Sequence, residues 1–474
     1  MELLHILPVN HLHGFTKLQL PRIGGSYKKI QQFANALRQN KTLTTLTIRE
    51  QYISDEGVEA LANALQHNQT LTTLNLSHNE ISCYGVVHLA KAIRRNLTLT
   101  ALHLGNNKIE FSGAEHLANS LEYNKTLTTL DLNFNGIGDI GAEYLGNALQ
   151  LNKTLTTLDI SMNGIGKEGA EYLGNALQFN KTLTTLDLSH NELGGQGAKY
   201  LVNALQLNKT LTTLNLGSNS VGDTELEYLA NVLQQNNTLT ALHLQSSYIH
   251  DEGAEYLANA LQQNKTLAIL SLDSKEISVQ GAEYLSNALQ QNQTLTTLNF
   301  RWNTMGAEGA KHLANALLYN KTLTTLALNR NKIGDQGAEY LGNALQHNKA
   351  LTTVDLSGNE IGDQGAEYLG NALQHNKTLK TLNLECNYIH DKGVEHIGNA
   401  LRTSNTLIAL HLKENGIGDQ GGEYLANALQ QNKTLTTFNF NWNRIGAQGA
   451  QHFANLLQYN GVTLIKLLYD LLSC

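Results

Sequence analysis

Histidine and cysteine side chains are the groups with which this chain could do catalytic or metal chemistry, and their spacing forms no site. The three cysteines have neither metal-ligand nor redox spacing, and no G-x-S-x-G string supplies a serine nucleophile. Catalysis needs a nucleophile, a base and an oxyanion donor that converge on one point. We therefore expect no enzyme, no cofactor and no metal. The side chains concerned are those of Cys83, Cys386, Cys474, His78, His103, His190, His243 and His411.

The Asn-x-Thr string occurs thirteen times, and each copy is formally an acceptor for N-linked glycans. Because the strings recur at a regular spacing, we interpret them as closing a helix-to-strand turn through local hydrogen bonds. Passage through an endoplasmic reticulum would expose all of them to glycosylation. We therefore expect a cytoplasmic protein, either bacterial or secreted by a bacterium into a host cytosol. The asparagines are Asn40, Asn68, Asn96, Asn124, Asn152, Asn180, Asn208, Asn236, Asn264, Asn292, Asn320, Asn376 and Asn432.

A repeat of 28 residues positions all of these side chains. A Leu-x-x-Leu-x-Leu string begins at this interval fifteen times, and one unit, from Thr182 to Lys209, reads TLTTLDLSHNELGGQGAKYLVNALQLNK. An internal period of this length indicates a solenoid. The strings begin at Leu43, Leu71, Leu99, Leu127, Leu155, Leu183, Leu211, Leu239, Leu267, Leu295, Leu323, Leu351, Leu379, Leu407 and Leu435.

Each unit contains two hydrophobic periods. Leu183, Leu186 and Leu188 alternate as in a strand with one buried side, whereas Leu201 and Leu205 have the spacing of an amphipathic helix. Neither element could bury its apolar face alone, so stacked copies should form a parallel sheet with a layer of helices. An Asp at the start of the helix predicts an N-cap for that helix. Examples are Asp139, Asp335, Asp363 and Asp419.

Composition excludes several classes of protein. The 474 residues are 41% hydrophobic and 15% charged, which is sufficient for a large core and excludes a disordered chain. No run approaches the 18 apolar residues of a transmembrane helix. The formal charge is −7 and no basic run is long, so we expect no nucleic-acid and no membrane partner.

The repeat resembles a known family. The string L-x-x-L-x-L-x-x-N-x-I-G-D-x-G-A-x-x-L-x-x-A-L resembles leucine-rich repeats of the ribonuclease-inhibitor type, and N-K-T-L-T-T-L-D-L-S-x-N is most similar to repeats of NOD-like receptors. The resemblance implies an α/β horseshoe solenoid with parallel strands on the concave face and helices on the convex face. Arrays of this kind also resemble leucine-rich-repeat effectors that bacteria inject into host cells.

We interpret the chain as one continuous solenoid domain. Residues 1–42 form an N-terminal capping rung, residues 43–462 form fifteen repeats, and residues 463–474 form a C-terminal capping rung. The ends of a stacked array need modified units because their outer apolar faces have no neighbouring repeat.

The repeat rule is broken in the middle of the chain. Glu225 replaces the glycine of the helix, and Ser247 and Lys275 replace the asparagine that follows the strand in the next two units. Either this stretch has decayed or it shapes the binding face.

Positions that differ between repeats are the candidates for function. One variable column lies directly before the asparagine that follows each strand, and we expect it to point outward from the concave face. Both tryptophans occupy this column, five repeats and roughly 24 Å apart at about 4.8 Å per strand. Aromatic and arginine side chains commonly dominate interfaces. The predicted partner-binding residues are Trp302, Trp442, Arg301, Arg330, Phe134, Met162, Tyr388, Glu414 and Arg444.

Phe134 and Met162 accompany an acidic row, Asp131, Asp159 and Asp187. Carboxylates that lie side by side could bind a cation. Asp is common at this position in the repeat type that the chain resembles, so we expect no metal there.

These features predict a non-catalytic protein–protein interaction scaffold that binds a partner protein on its concave face as a monomer. The resemblance to effectors implies that the partner is a host protein. Two alternatives follow from other resemblances. One is a GTPase-activating protein of the Ran-activator type, although the acidic tail of that family is missing here. The other is a ligand sensor like the repeats of NOD-like receptors.

Overall fold

The computed structural model describes residues 15–20, 27–274 and 276–460. The predicted C-terminal capping rung, residues 463–474 with Cys474, lies outside the described residues, and so does Lys275. Within the described residues, sixteen short strands alternate with sixteen helices. This strict alternation confirms the α/β repeat fold expected from the two hydrophobic periods.

The strands contain three residues each and the helices contain eleven to fourteen. The strands are β1 (Lys17–Gln19), β2 (Thr45–Thr47), β3 (Thr73–Asn75), β4 (Ala101–His103), β5 (Thr129–Asp131), β6 (Thr157–Asp159), β7 (Thr185–Asp187), β8 (Thr213–Asn215), β9 (Ala241–His243), β10 (Ile269–Ser271), β11 (Thr297–Asn299), β12 (Thr325–Ala327), β13 (Thr353–Asp355), β14 (Thr381–Asn383), β15 (Ala409–His411) and β16 (Thr437–Asn439). The helices are α1 (Tyr27–Gln39), α2 (Asp55–Leu65), α3 (Cys83–Ile93), α4 (Glu110–Leu121), α5 (Gly138–Leu151), α6 (Lys167–Phe179), α7 (Gly194–Leu207), α8 (Asp223–Gln235), α9 (Asp251–Gln263), α10 (Val279–Gln291), α11 (Gly306–Leu317), α12 (Gly334–His347), α13 (Asp363–His375), α14 (Asp391–Thr403), α15 (Asp419–Gln431) and α16 (Ala447–Asn460).

The chain divides into two compact units. The first comprises Met1–Val221 with Gln235–Leu242, and the second comprises Gly222–Gln234 with His243–Cys474. In the first unit β1 to β8 pair in parallel and in chain order, and α1 to α7 pack side by side. In the second unit β10 to β16 and α9 to α16 are arranged in the same way.

The register within each unit follows the 28-residue step. Leu130 pairs with Leu158, and Leu158 pairs with Leu186, so equivalent side chains stack on one another. The central leucine of the strand is buried, whereas the two flanking side chains are half-buried on the outer face of the sheet, which we call the strand face. The strand is shorter than the leucine string, because Leu183 and Leu188 are buried in the chain on either side of β7.

The buried asparagines of the Asn-x-Thr strings close the helix-to-strand turn as predicted. Asn208 is fully buried, and its Oδ1 accepts hydrogen bonds from the backbone N–H groups of Thr210 (2.9 Å) and Leu211 (2.7 Å). Its Nδ2 donates to the carbonyl oxygen of Leu177 in the preceding repeat (2.7 Å). One side chain therefore forms the turn and also joins two repeats.

The aspartates at the starts of the helices cap different helices from those predicted. Oδ1 of Asp139, in α5, accepts from the N–H groups of Gly166 (2.7 Å) and Gly169 (2.8 Å), which begin α6 in the next repeat. Helix α5 itself has no side-chain cap. The prediction of a cap within one repeat was wrong, because parallel stacking places the carboxylate beneath the next N-terminus. The same contact is made by Asp223, Asp251, Asp335, Asp363, Asp391 and Asp419.

Cross-repeat capping explains the substitution at Glu225. A Cβ on Gly169 would lie 2.7 Å from Oδ1 of the capping Asp139, so a glycine is required wherever the preceding repeat carries the aspartate. In the repeat before Glu225 the aspartate position is Gly195, which carries no carboxylate. Glu225 Oε2 accepts from the N–H of Gly222 (3.1 Å) at the start of its own helix. The carboxylate that the helix lacks from its neighbour comes from the helix itself.

The next irregular repeat is also compensated locally. Ser247 replaces the asparagine that follows the strand, which we call the ladder asparagine. It is buried, and its hydroxyl has no hydrogen-bond partner in the described part of the chain. Ser274 of the following repeat replaces another contact of this kind. Its hydroxyl accepts from the N–H of Ile249 (3.1 Å) and donates to the carbonyl oxygen of Ile249 (2.8 Å). The equivalent N–H elsewhere is bonded to the asparagine of the following repeat, as Ile137 is to Asn163 (3.2 Å).

We expect Asp335→Ala to lower the free energy of unfolding by about 1–2 kcal/mol, because α13 would lose its N-terminal cap. Asp335→Asn should cost less, since its amide oxygen can still accept from Gly362 and Gly365. Chemical denaturation would measure both effects. Glu308→Ala is the control, because it removes only an exposed ion pair with Lys311 (2.9 Å) and should cost about 0.5 kcal/mol. Equal losses in Asp335→Ala and Glu308→Ala would contradict cross-repeat capping.

Candidate functional site

The variable column lies in the turn that follows each strand. Strand β11 ends at Asn299, whereas the column residue of the same repeat is Trp302. The backbone there is left-handed, with φ of 56° at Trp302, 59° at Arg330 and 59° at Trp442. Such angles are uncommon for residues other than glycine, which occupies the same position at Gly358 (φ 65°). Trp302, Arg330 and Trp442 are all exposed at this turn.

A central cluster joins three of the predicted residues with one that sequence analysis missed. The guanidinium carbon of Arg330 lies 3.9 Å from the ring centroid of Trp302, which is a cation–π contact. Arg301 is held by Asp273, with Nη2 2.9 Å and Nε 3.0 Å from Oδ2. The Asp273 side chain is only 10% exposed, so this pair is better shielded from water than an ordinary surface ion pair.

Gly358 leaves space for this cluster. A Cβ at Gly358 would lie 2.9 Å from Cγ of Arg330, so a larger residue would displace the arginine side chain. The glycine is not adjacent to Trp302 in the sequence, and its role is visible only from the stacking of repeats.

A second cluster lies two to four repeats beyond Arg330 in the second unit. The Cys386 thiol donates to Oε2 of Glu414 (3.2 Å), and Nζ of Lys413 lies 3.3 Å from Oε1 of the same carboxylate. These contacts lower the pKa of Glu414, the thiol contributing most, whereas burial and the bond to Glu414 raise the pKa of Cys386. Beyond this group Trp442 is 71% exposed. Tyr388 and Arg444 are also exposed.

The structure fixes the backbone of Tyr388 and Arg444 in the same way. The N–H of Tyr388 donates to Ile361 O (2.8 Å), and the N–H of Arg444 donates to Ile417 O (2.8 Å). Both residues directly follow the ladder asparagine, so their side chains emerge close to the column. The second unit therefore presents seven of the nine predicted residues along one edge of its strand face.

The other two predicted residues, Phe134 and Met162, lie in the first unit. Both are exposed and have left-handed backbones, with φ of 52° and 55°. Next to them the acidic row is in register across β5, β6 and β7. Burial raises the pKa of Asp159, and its acidic neighbours add to the effect. The outer members have partners of their own, since Asp131 lies 3.4 Å from His103 Nδ1 and Asp187 accepts from Asn215 Nδ2 (2.8 Å).

No group of three or more His, Cys, Asp or Glu side chains is arranged to hold a metal within the described ranges. No helix in these ranges is long and apolar enough to cross a bilayer.

A family model described as Leucine Rich repeat matches ten segments of the chain, and together they cover just over half of it. The matched residues are 151–174, 179–202, 207–230, 235–258, 291–314, 319–342, 347–370, 375–398, 403–426 and 431–454. This chain belongs to the leucine-rich-repeat family. A model of the TMOD/LMOD leucine-rich domain also matches residues 24–135. No catalytic family is indicated.

Three solved structures are similar to the leucine-rich-repeat protein. It is similar to the actin-binding site 2 of leiomodin-1 (26% identity, 26% of this chain and 73% of that chain, TM-score 0.25). It is similar to an internalin, inlF, from Listeria monocytogenes (23% identity, 78% and 87%, TM-score 0.45). It is also similar to TLR13 in a complex with ssRNA13 (18% identity, 92% and 60%, TM-score 0.51). The last likeness shows the fold alone. No curated protein matches the chain.

Two elements of this leucine-rich-repeat surface were not found from the sequence. Asp273 and Gly358 act on Arg301 and Arg330 from positions 28 residues away. Comparing each residue of the turn with the same position one repeat earlier and later would have suggested both. Asp273 stands one repeat before Arg301, and Gly358 stands one repeat after Arg330.

Proposed function

We propose that the protein is a non-catalytic scaffold that binds a partner protein through the edge of the strand face in its second unit. The observation that carries this proposal is the cluster of Trp302, Arg330, Arg301 and Asp273. Its stacked guanidinium and its shielded ion pair hold long side chains in defined positions before a partner arrives. Less side-chain entropy is then lost on association, which favours binding.

Trp302 and Trp442 are the proposed anchors of this surface. A tryptophan that becomes buried in an interface contributes a large apolar area, and Arg and Trp are among the residues that dominate interfaces. Tyr388, Glu414 and Arg444 supply polar and charged contacts around the anchors. In the first unit, Phe134 and Met162 form a smaller proposed contact beside the acidic row.

We further propose that the protein acts as a monomer in a cytosol, as an effector that occupies a host protein. The buried asparagines support a location in a cytosol. Asn208 has no exposed surface, and its amide is used in hydrogen bonds on both sides. A glycan attached there during synthesis would prevent the turn from forming, and the same holds for the equivalent turns of the other repeats.

The proposal predicts that Trp302→Ala/Trp442→Ala abolishes capture of a partner from host-cell lysate. For the purified partner, either single change should weaken binding by about 30-fold or more, corresponding to about 2 kcal/mol for a central anchor. Isothermal titration calorimetry would measure the affinities. Tyr319→Ala is the matched control, because Tyr319 is an exposed aromatic residue (67%, against 71% for Trp442) of the same unit outside the column.

The double variant should melt within about 2 °C of the wild type, because the tryptophans are exposed and alanine does not change the left-handed turn. A much lower melting temperature would identify them as core residues. Unchanged capture by a stably folded double variant would remove these anchors from the binding surface and contradict the proposal.

A further inference from the structure

The helix-to-strand edge of the first unit carries a row of exposed apolar side chains. Tyr123, Leu151, Phe179 and Leu207 are 54%, 59%, 62% and 60% exposed, on four consecutive repeats. We call them the apolar row. Each lies at or just after the end of its helix, directly before the buried asparagine of an Asn-x-Thr string.

A row of lysines runs alongside it. Lys125, Lys153, Lys181 and Lys209 directly follow the same asparagines, and all four are exposed. Nζ of Lys181 and of Lys209 lies 3.2 and 3.1 Å from a carbonyl oxygen at the end of the adjacent helix. The lysine stems therefore lie against the turn beside the apolar row.

The preceding repeat extends this surface with the two residue types exchanged. Arg95 takes the place of the apolar residue and Leu97, which is 77% exposed, takes the place of the lysine. Arg94 stacks on the ring of Tyr123, with its guanidinium carbon 4.0 Å from the centroid. One acidic residue, Glu122, directly precedes Tyr123 at this edge.

The fold does not require the apolar row. In most repeats of the second unit the same position is polar, with Tyr319 (67% exposed) as an exception, and the turn forms with the same asparagine hydrogen bonds whichever residue stands there. The polar residues there include Gln263, Gln291, His347 and His375. Exposed apolar side chains on successive repeats cost solubility without stabilising the turn, so they point to a binding surface.

We propose that this edge binds the surface of an anionic phospholipid bilayer. The apolar side chains stand more than half exposed on a narrow edge, which suits shallow insertion between headgroups. The lysines and arginines beside them carry the charge that anionic lipids attract, while their stems cover apolar surface. The charge complementarity singles out anionic lipid. This surface is separate from the tryptophan cluster and does not depend on the proposed protein partner.

Sedimentation with vesicles tests the proposal. The full chain should sediment with vesicles of phosphatidylcholine and phosphatidylserine, should not sediment with phosphatidylcholine alone, and should be released by high salt. Leu151→Ser/Phe179→Ser should lower the partition coefficient at least about tenfold, because each side chain would otherwise be withdrawn from water. Circular dichroism should show that this variant is folded, since both side chains are exposed.

Two charge variants separate a specific surface from general attraction. Lys153→Gln/Lys181→Gln should weaken vesicle binding and reduce its salt dependence. Lys349→Gln/Lys377→Gln makes the same change of charge on the equivalent edge of the second unit, where His347 and His375 replace the apolar residues, and should have little effect. Equal losses in both variants would overturn the proposal, as would absence of sedimentation with phosphatidylserine vesicles at low salt. Binding of an acidic protein through these residues, without vesicle binding, would also overturn it.

Discussion

Asn208→Ala should lower the free energy of unfolding by about 3–5 kcal/mol, because at least two buried backbone groups lose their only side-chain partner at about 1–3 kcal/mol each. The N–H groups of Thr210 and Leu211 and the carbonyl of Leu177 are bonded to this one amide. Asn208 has no exposed surface, so water cannot replace it without opening the turn. The change acts on two repeats at once, since Leu177 belongs to the preceding one.

Chemical denaturation followed by circular dichroism would measure this effect. Asn203→Ala is the matched control: Asn203 is exposed on α7 in the same repeat, and alanine has the higher helix propensity, so its free energy of unfolding should be unchanged or slightly higher. Asn208→Asp should also be destabilising, because it keeps the acceptor but removes the donor and buries a charge. A loss below about 1 kcal/mol for Asn208→Ala would mean that the turn can rearrange its hydrogen bonds.

Leu298→Ala should cost about 2–5 kcal/mol through the cavity left in the core of the second unit. Leu298 is the central residue of β11, is 1% exposed, and stacks between Leu270 and Leu326 of the neighbouring strands. In a solenoid the neighbouring repeats contact the altered one on both sides, so the cavity weakens two interfaces between repeats.

Thr297→Ala is the control for this prediction. Thr297 precedes Leu298 in the same strand but lies half-buried on the strand face, so its truncation should cost less than about 1 kcal/mol. The denaturant dependence of unfolding should also be compared, because a smaller slope would show that the second unit unfolds separately from the first. A Leu298→Ala variant as stable as Thr297→Ala would mean that the inward and outward sides of the strand are reversed.

Surface composition illustrates what linear inspection of a repeat sequence overlooks. No basic run is long, and the net charge is −7, so the sequence predicts no anionic partner. Lys125, Lys153, Lys181 and Lys209 are 28 residues apart, yet they occupy the same position of four consecutive repeats. Stacking turns a periodic position into a continuous row. Comparing the same position in successive repeats is therefore a better guide to such a surface than searching for runs of charge along the chain.

The sequence by itself determined the features that are local or strictly periodic. The 28-residue step, the alternation of strand and helix, the buried side of each strand and the turn role of the asparagines all follow from hydrophobic period and short-range hydrogen bonding. Leu186 was placed correctly because its neighbours lie at the same position of adjacent repeats, and the turn role of Asn208 because Thr210 and Leu211 lie within its own repeat. Its bond to Leu177 of the preceding repeat was visible only in the structure.

The tertiary structure alone decided which side chains of neighbouring repeats come into contact. Asp139 caps the helix of the next repeat from a different position of the unit, whereas Gly358 accommodates Arg330 and Asp273 holds Arg301 from the same position one repeat away. The left-handed backbone at Trp302 likewise depends on the path of the turn. Such contacts join residues 27 to 30 positions apart, and only the relative placement of neighbouring repeats selects among the candidates.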